Sequence, residues 1–262
     1  MDFQLKGHNA LVCASSRGLG LATAMALARE GVQVFLTARH EESLAAAAAE
    51  IRGNTGVKVE YAAMDLNSPD APGRLAKLAQ DRLGRIDILV NNVGGPPPTK
   101  AADTTAAQWR AGFEQVFLTA VELSNALLPP MRAARFGRII TITSLSVLEP
   151  IENLVISTAM RLAITGFTKT LANEVAHEGV TVNTVLPGVI HTDRIEDLRR
   201  AKAERTGTTL AEEMQKTEQQ IPAGRLGRPE ELAAFVAFLA SKQAGYITGT
   251  HTPIDGGLRR GW

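Results

Sequence analysis

A short stretch near the start of the chain has the residue types that bind phosphate groups. It reads Cys13-Ala14-Ser15-Ser16-Arg17-Gly18-Leu19-Gly20 and lies between an apolar run and a helix-like run. Glycines in such a turn let the backbone approach a pyrophosphate, and the following helix offers unpaired N–H groups and the positive end of its dipole. The stretch therefore predicts a dinucleotide phosphate site. Taken alone, it leaves open a tight strand-to-helix turn without a ligand.

Polar or turn-forming residues follow four further apolar runs. They are Asp65 with Leu66, Asn91 to Gly94, Ser144, and Pro187 to Thr192. The carboxyl ends of parallel strands meet at one edge of a doubly wound sheet, and such sheets bind ligands there. We therefore expect these residues to lie near the glycine turn.

Seven short runs rich in Val and Ile are predicted to be the strands that position these residues. The runs are Ala10–Ala14, Val32–Thr37, Val57–Ala62, Ile86–Val90, Arg138–Thr143, Val180–Leu186 and Thr250–Ile254. Nearly continuous hydrophobicity without alternation indicates strands covered on both faces, which is typical of a parallel sheet between helices. The pattern predicts an α/β fold.

Longer helix-like segments alternate with the strands. They cover Leu19–Glu30, Glu41–Arg52, Ser68–Leu83, Asp103–Arg135, Ile151–His177 and Pro229–Ala240. The segment Asp193–Gly227 interrupts this alternation, since it is charged and polar and contains Gly207 and Gly224. Because it follows a predicted strand end, we interpret it as a lid over a site. A solvated surface excursion is the alternative.

The composition excludes several classes of protein. The 262 residues are 45% hydrophobic, which supplies a large core and excludes a disordered tail protein. The net charge of +1 gives no general field for nucleic acid or anionic membranes. Cys13 is the only cysteine, so an internal disulfide and a cysteine-based zinc site are excluded. We predict no metal site and no nucleic-acid partner.

The chain is expected to be a cytoplasmic protein without a membrane partner. Its first residues have neither a basic flank nor an apolar run of signal-peptide length. The most apolar stretch, Leu232 to Ala240, is far shorter than the roughly 18 residues that a membrane span needs. Because α/β folds of about 250 residues are commonly one unit, we predict one domain over residues 1–262.

These motifs together resemble the classical short-chain dehydrogenase/reductase family over nearly the whole chain. Further matching stretches are Gly137-Arg138-Ile139-Ile140, Gly166-Phe167-Thr168-Lys169, Gly224-Arg225-Leu226-Gly227-Arg228-Pro229-Glu230-Glu231 and Asp255-Gly256-Gly257. The resemblance implies a Rossmann-type doubly wound domain with a seven-stranded parallel sheet, and NAD(P)(H) as cofactor. It also implies a homotetramer that packs through helices 103–135 and 151–177 and around 255–262. Members similar to 3-oxoacyl-[acyl-carrier-protein] reductases fit best, but no residue of the lid names a substrate.

The resemblance also implies a set of residues that bind the cofactor. Those near the phosphates, adenine, riboses and nicotinamide would be Ser15, Ser16, Arg17, Gly18, Leu19, Gly20, Arg39, Asp65, Leu66, Asn92, Val93, Gly94, Arg161, Pro187, Gly188 and Thr192. The family's leading Thr-Gly is Cys13-Ala14 in this chain. Because Ala14 has less backbone freedom than glycine, we expect weaker cofactor binding there rather than none.

The residues after the second strand favour one form of the cofactor. Ala38-Arg39 stand where an NAD-dependent protein of this kind would place an acidic residue to bind the ribose 2′-OH. Ala38 removes that acceptor, and Arg39 and Arg17 are placed to reach a 2′-phosphate. We therefore predict NADP(H) over NAD(H). The alternative is that both arginines are ordinary surface charges.

The family's catalytic tetrad of Asn, Ser, Tyr and Lys is mostly absent. Counted from Gly166-Phe167-Thr168-Lys169, the Tyr position is Ser157 and the Lys position is Arg161. The Asn position is Val116, so that only Ser144 is retained. No shift of register supplies a tyrosine, because the only two are Tyr61 and Tyr246.

The remaining groups can bind a carbonyl but lack an evident acid. Ser144 and Ser157 can hydrogen-bond a carbonyl oxygen, and Arg161 can hold the nicotinamide ribose and stabilise negative charge. A serine hydroxyl is a weak acid, and an arginine does not exchange protons at neutral pH. His191 is the first candidate proton donor, with a loop histidine exposed to water as the alternative, and Glu152, in the loop that leads into the helix of Ser157, is the second candidate.

Two functions are therefore predicted. The first is an NADP(H)-dependent oxidoreductase that acts on a small carbonyl or alcohol substrate, with Ser144, Ser157, Arg161 and His191 as a nonstandard catalytic site. The second is a noncatalytic NADP(H)-binding protein, such as a redox sensor or an inactive subunit.

Overall fold

The computed structural model describes residues 2–68 and 70–261. Within them, seven strands form one parallel sheet: β1 (Asn9–Cys13), β2 (Gln33–Ala38), β3 (Val59–Ala63), β4 (Ile88–Asn91), β5 (Gly137–Ile142), β6 (Val180–Pro187) and β7 (His251–Ile254). Their order is β3-β2-β1-β4-β5-β6-β7. The connection reverses direction between β1 and β4, so the carboxyl ends of these strands flank a crevice. All seven predicted strands are confirmed, with ends that differ from the prediction by at most two residues.

Helices cover both faces of this sheet. Those in the described residues are α1 (Gly18–Arg29), α2 (Glu41–Thr55), α3 (Ala71–Leu83), α4 (Ala106–Gly112), α5 (Thr119–Ala133), α6 (Val155–Val175), α7 (Asp193–Thr206), α8 (Leu210–Gln220) and α9 (Pro229–Ala240). Pro69, inside the predicted Ser68–Leu83 helix, lies outside the described residues, as does Trp262.

The core is two apolar layers separated by the sheet. Along β1, Ala10 and Val12 point into one layer, whereas Leu11 and Cys13 point into the other. The first layer is closed by α1, α2 and α9, and the second by α3, α5 and α6. Burial on both faces explains why the strand sequences are continuously apolar.

Two predicted segments differ in detail from the structure. The predicted helix Asp103–Arg135 is divided by a π-helical turn, Phe113–Leu118, between α4 and α5. The segment Asp193–Gly227 contains two helices, α7 and α8, that the sequence pattern did not reveal. Only Ala203 is buried in α7, so this helix has no apolar stripe from which it could be predicted.

No helix in the described ranges combines the length and apolar character required to cross a membrane. Nor do residues 2–68 and 70–261 bring three or more His, Cys, Asp or Glu side chains into a group that could hold a metal ion.

Candidate functional site

The glycine turn is held in a single conformation at the end of β1. The buried Ser15 hydroxyl donates to the Val12 carbonyl (2.8 Å) and accepts from the Thr37 amide (3.1 Å), which fixes the turn against β2. A side chain at Gly20 would collide with the carbonyl group of Ala14. No side chain caps the N-terminus of α1, so its amide groups are available to an anion.

Ala14 adopts a backbone conformation that favours glycine. Its φ is +47°, in the left-handed region, which costs an alanine about 1–2 kcal/mol relative to the right-handed region. The family's glycine at this position avoids that cost. Replacement by alanine has therefore kept the shape of the turn at the expense of local strain.

The two arginines assigned to the 2′-phosphate have different surroundings. Arg39 follows β2 directly and is exposed. Arg17 is also exposed, but its Nη1 lies 3.2 Å from Asp193 Oδ2, at the start of α7. Arg17 therefore bridges the glycine turn to α7, and Arg39 alone stands at the end of β2.

The remaining predicted cofactor residues line the same sheet edge. Asp65 is exposed after β3 and accepts a hydrogen bond from the Asn67 amide (3.0 Å). The backbone of Asn92 hydrogen-bonds Cys13, whose thiol pKa is raised to about 12 by burial. Thr192 packs beside Gly18, with 3.6 Å between its Cγ2 and the place of a Cβ on that glycine. The turn, the β4 end and the β6 loop are thus brought together.

The base of the β6 loop is tightly packed. The amide of Gly188 donates to the Ile254 carbonyl (3.0 Å), and a Cβ at Gly188 would lie 2.7 Å from the Cα of Asp255. Pro187 ends β6 beside Ile254 of β7. This packing fixes the chain that leads into Thr192.

Two of the four predicted catalytic residues, Ser157 and Arg161, are bonded to each other, and Arg161 also binds the strand end that leads into the third, Ser144. Ser157 and Arg161 lie one turn apart on the buried face of α6, and Arg161 Nε donates to Ser157 Oγ (3.1 Å). Arg161 Nη1 donates to the carbonyls of Ile142 (3.1 Å) and Thr143 (2.9 Å), next to Ser144. Its Nη2 lies 3.4 Å from the Val93 carbonyl.

The Ser144 hydroxyl begins a short 3-10 turn, Leu145–Val147. Its oxygen accepts a hydrogen bond from the Ser146 amide (3.1 Å). The oxygen of Ser157 likewise accepts from Arg161. Both hydroxyl groups therefore keep their hydrogen for another acceptor.

Arg161 is charged although it is buried. Burial, with a smaller contribution from repulsion by Arg194, lowers its pKa to about 10. At neutral pH the guanidinium therefore remains protonated. Its side chain is 7% exposed and places a positive charge beside the Ser157 hydroxyl.

His191 lies on the exposed side of the β6 loop. Its Nε2 is 2.8 Å from Glu196 Oε1 on α7, and its amide donates to the Gly227 carbonyl (2.8 Å). The structure therefore pairs this histidine with α7 rather than with Ser144 or Ser157. Its role as a proton donor stays a prediction.

Arg194 is a further residue at this site that the sequence analysis missed. Its Nη2 lies 2.5 Å from the place where a Cβ of Gly95 would be. Gly95 and Arg194 are far apart in the chain and belong to no motif of the sequence analysis, so no sequence signal pointed to the contact.

Comparison with known proteins gives the family. A family model described as Enoyl-(Acyl carrier protein) reductase matches residues 13–259. The chain belongs to the short-chain dehydrogenase/reductase family. This confirms the predicted family, and the sheet confirms the predicted Rossmann-type fold.

Relatives with known roles match nearly the full length. The 3-oxoacyl-[acyl-carrier-protein] reductase FabG of Vibrio cholerae is 38% identical over 254 residues, which are 97% of this chain and 98% of that protein. A putative ketoacyl reductase of monensin polyketide synthesis from Streptomyces virginiae is 35% identical over 95% and 96% of the two chains. L-sorbose reductase from Gluconobacter frateurii, solved with NADPH and L-sorbose, has a TM-score of 0.95 and 32% identity over 100% of both chains. These relatives are oxidoreductases, and they support an enzyme of that class.

The position of the family's asparagine is apolar in this chain. Val116 lies in the π-helical turn and is fully buried with Ala120 and Ile164. The Thr119 hydroxyl donates to the Glu114 carbonyl (3.0 Å), five residues earlier, and so stabilises the wide turn. π-Helical turns are frequent at functional sites, and this helix contains one. Val116, however, has no polar group that could pass a proton.

Proposed function

We propose that this chain is an NADP(H)-dependent reductase of the short-chain dehydrogenase/reductase type that works with serine and arginine in place of tyrosine and lysine. The observation that carries the proposal is the pair of hydroxyls, Ser144 and Ser157. Each oxygen accepts an N–H donor, so each hydrogen is directed elsewhere. Such a pair can bind the oxygen of a carbonyl substrate.

The residues at the sheet edge fit the proposed cofactor. The uncapped N-terminus of α1, with Gly18 and Gly20, offers amide groups to a pyrophosphate. Arg39 is exposed at the end of β2, where a 2′-phosphate would lie. The solved structures of L-sorbose reductase and of an actinorhodin polyketide ketoreductase contain NADPH. When bound, this cofactor supplies a hydride to the carbonyl carbon.

The chain's own contribution to the reaction is stabilisation of negative charge on the substrate oxygen. As the carbonyl is reduced, its oxygen gains charge, and hydrogen bonds from Ser144 and Ser157 strengthen. Arg161, which donates to Ser157, holds its positive charge behind that hydroxyl in a buried setting. The oxygen then takes a proton from solvent to give the alcohol.

The proposal includes a lid formed by residues 193–227 over the substrate. Glu213, on α8, is held by Lys202 (2.7 Å) from α7 and by Lys216 (2.9 Å). These two lysines lower the pKa of Glu213 to about 2, so the carboxylate is charged at neutral pH. The contacts join the two helices of the lid into one unit.

The proposal also includes a single domain and a small carbonyl or alcohol substrate. It further includes a cytoplasmic location and a homotetrameric assembly. All seven strands in the described part of the chain join one sheet, which supports a single domain.

A turnover measurement tests the proposal. The chain should oxidise NADPH with at least one member of a panel of activated ketones, and Ser144→Ala should lower kcat by about 10²–10³-fold, the usual effect of losing one oxyanion donor. NADPH affinity should stay within about twofold. Ser146→Ala is the matched control, because it deletes a neighbouring buried hydroxyl that has no hydrogen-bond partner in the described structure.

A noncatalytic NADP(H)-binding protein is the second candidate, favoured by the apolar surroundings of Val116. NADPH binding with no turnover across the panel would support that candidate and contradict the reductase.

A further inference from the structure

Two guanidinium groups lie beside residues 93–95, the segment that follows β4. Arg161 Nη2 approaches the carbonyl of Val93, and Arg194 Nη2 occupies the space over Gly95. The two charges are close enough for Arg194 to disfavour the protonated form of Arg161. The segment 93–95 therefore has a cationic side chain on each side.

Neither guanidinium is neutralised by a carboxylate among the described residues. All hydrogen-bond partners of Arg161 there are neutral: Ser157 Oγ and three backbone carbonyls. Of the acidic residues close to Arg194 in the sequence of α7, Asp193 pairs with Arg17 and Glu196 with His191. Asp197, three residues further along the helix, forms no ion pair with Arg194 among the described residues.

Uncompensated charge in a buried setting is unfavourable. Buried ions are ordinarily paired, and a like charge nearby raises the cost of burial. Arg161 is the buried member of this pair, whereas Arg194 is exposed. Gly95 has no side chain, and any Cβ there would displace the Arg194 guanidinium. The pair therefore offers an anionic group one buried and one exposed positive charge beside the segment that follows β4.

We propose that this arginine pair binds the carboxylate of the substrate, so that the substrate is a 2-oxo or 3-oxo acid or the corresponding hydroxy acid. Arg161 is bonded to the carbonyl of Thr143, and Ser144 is the next residue. In this proposal Ser144 binds the ketone oxygen of the same small molecule, one or two carbon atoms from the carboxylate held by the arginines. Reduction of such an acid rests on the proposed function, whereas its binding does not.

The pyrophosphate of the dinucleotide is the other anion that could reach Arg194, because Thr192 packs against Gly18 of the glycine turn. The experiment must therefore measure binding of the acid and of NADPH separately.

The test is calorimetric titration of the full chain with acetoacetate and with methyl acetoacetate, each with and without saturating NADP⁺, which cannot reduce either ketone. NADPH affinity is measured in a separate titration without a ketone. The two probes differ in charge and share the ketone. We expect the wild type to bind the acid about 10- to 150-fold more tightly than the ester, the range for one charge-assisted contact. Arg194→Met should remove most of this preference and leave affinity for the ester and for NADPH unchanged.

Two further variants separate position from charge. Gly95→Ala keeps every charge but displaces the end of the Arg194 side chain, so it should weaken binding of the acid alone. Arg200→Met removes an exposed arginine from the same helix and should have no effect.

Several results would overturn the carboxylate site. The first two are equal affinity of the wild type for acid and ester, and no binding of the acid with or without cofactor. The third is that Arg194→Met weakens binding of the acid and of the ester equally. The fourth is that Arg194→Met weakens NADPH binding but keeps the preference for the acid. The last would assign Arg194 to the pyrophosphate. Preferential binding of acetoacetate without its reduction would support this site and contradict the proposed reductase. Reduction of the ester without any preference for the acid would support the reductase and contradict this site.

Discussion

At the scale of single residues, Arg161 does more than replace a lysine. Its planar guanidinium reaches Ser157 and the carbonyls of Ile142 and Thr143 at once. A lysine has one ammonium group at a single point and cannot span these acceptors. Arg161 therefore fixes the end of β5 against α6, in addition to supplying charge to the site.

Restoring the family's pair should bring both a gain and a cost. Ser157→Tyr with Arg161→Lys should raise reduction of an activated ketone by roughly 10²–10⁴-fold, the usual effect of general acid catalysis. The same change removes donors from buried carbonyls, so the free energy of unfolding should fall by about 1–3 kcal/mol. Turnover and thermal melting are measured together. Each single variant should gain far less activity, and an equal gain in either one would contradict a shared role.

Arg39 should determine the preference for the phosphorylated cofactor. Because Arg17 is paired with Asp193, we expect Arg39→Asp to weaken NADPH binding by about 1.5–3 kcal/mol and to leave NADH binding equal or improved. Fluorescence titration with both cofactors measures this. Arg29→Asp, at the exposed end of α1, is the control for net charge. Equal affinity of the wild type for NADPH and NADH would refute the argument.

The site shows where reasoning from sequence succeeds at this scale. Ser157 and Arg161 could be placed by counting along a helix, because a fixed spacing on a regular element determines which residues share a face. Arg194 could not, since its contact with Gly95 joins the first turn of α7 to the segment after β4, and their approach depends on the tertiary fold. The pairing of Arg17 with Asp193 was hidden for the same reason.

At the scale of elements, the strands were predictable because each is buried on both faces. The lid helices were not, since α8 buries only Glu213 and Thr217, two polar residues. The π-helical turn contains a bond from the Thr119 hydroxyl to the Glu114 carbonyl, and such a local bond leaves the helical sequence pattern unchanged. Elements stabilised by polar contacts therefore gave no periodic signal.

The N-terminus of α9 fixes the end of the proposed lid through Glu231. Arg225 donates to both oxygens of Glu231 (2.8 and 2.6 Å), and the Arg228 amide donates as well (2.7 Å). These bonds lower the pKa of Glu231 from 4.5 to about 2. Since the carboxylate is the stabilised form, its contribution to stability is fully present above pH 4.5 and is lost as the pH falls towards 2.

We therefore expect Glu231→Gln to lower the melting temperature at pH 7, and the difference from wild type to shrink as the pH falls from 5 towards 3. Differential scanning calorimetry across this range measures it. Glu230→Gln, at an exposed neighbouring position in the same helical turn, should show little effect at any pH. A difference between Glu231→Gln and wild type that is constant with pH would contradict the linkage.

At the scale of the whole molecule, the surface carries large apolar side chains close to the substrate side. Phe113 in the π-helical turn, Ile151 before α6 and Leu162 on α6 are 42%, 45% and 46% exposed. They belong to the helical regions predicted to pack in a homotetramer. Exposed apolar groups on long helices are typical of surfaces that are covered in an assembly.

Light scattering of the purified chain at micromolar concentration should therefore give four times the 28.0 kDa of one chain. Leu162→Glu places a charge on the exposed face of α6 and should shift the mass to a smaller species, because a buried unpaired carboxylate is costly. Leu198→Glu, at a comparably exposed position on α7 in the proposed lid, should leave the mass unchanged. A wild-type mass of 28 kDa alone would refute the assembly, and a tetramer that both variants leave intact would place its interfaces away from this face of α6.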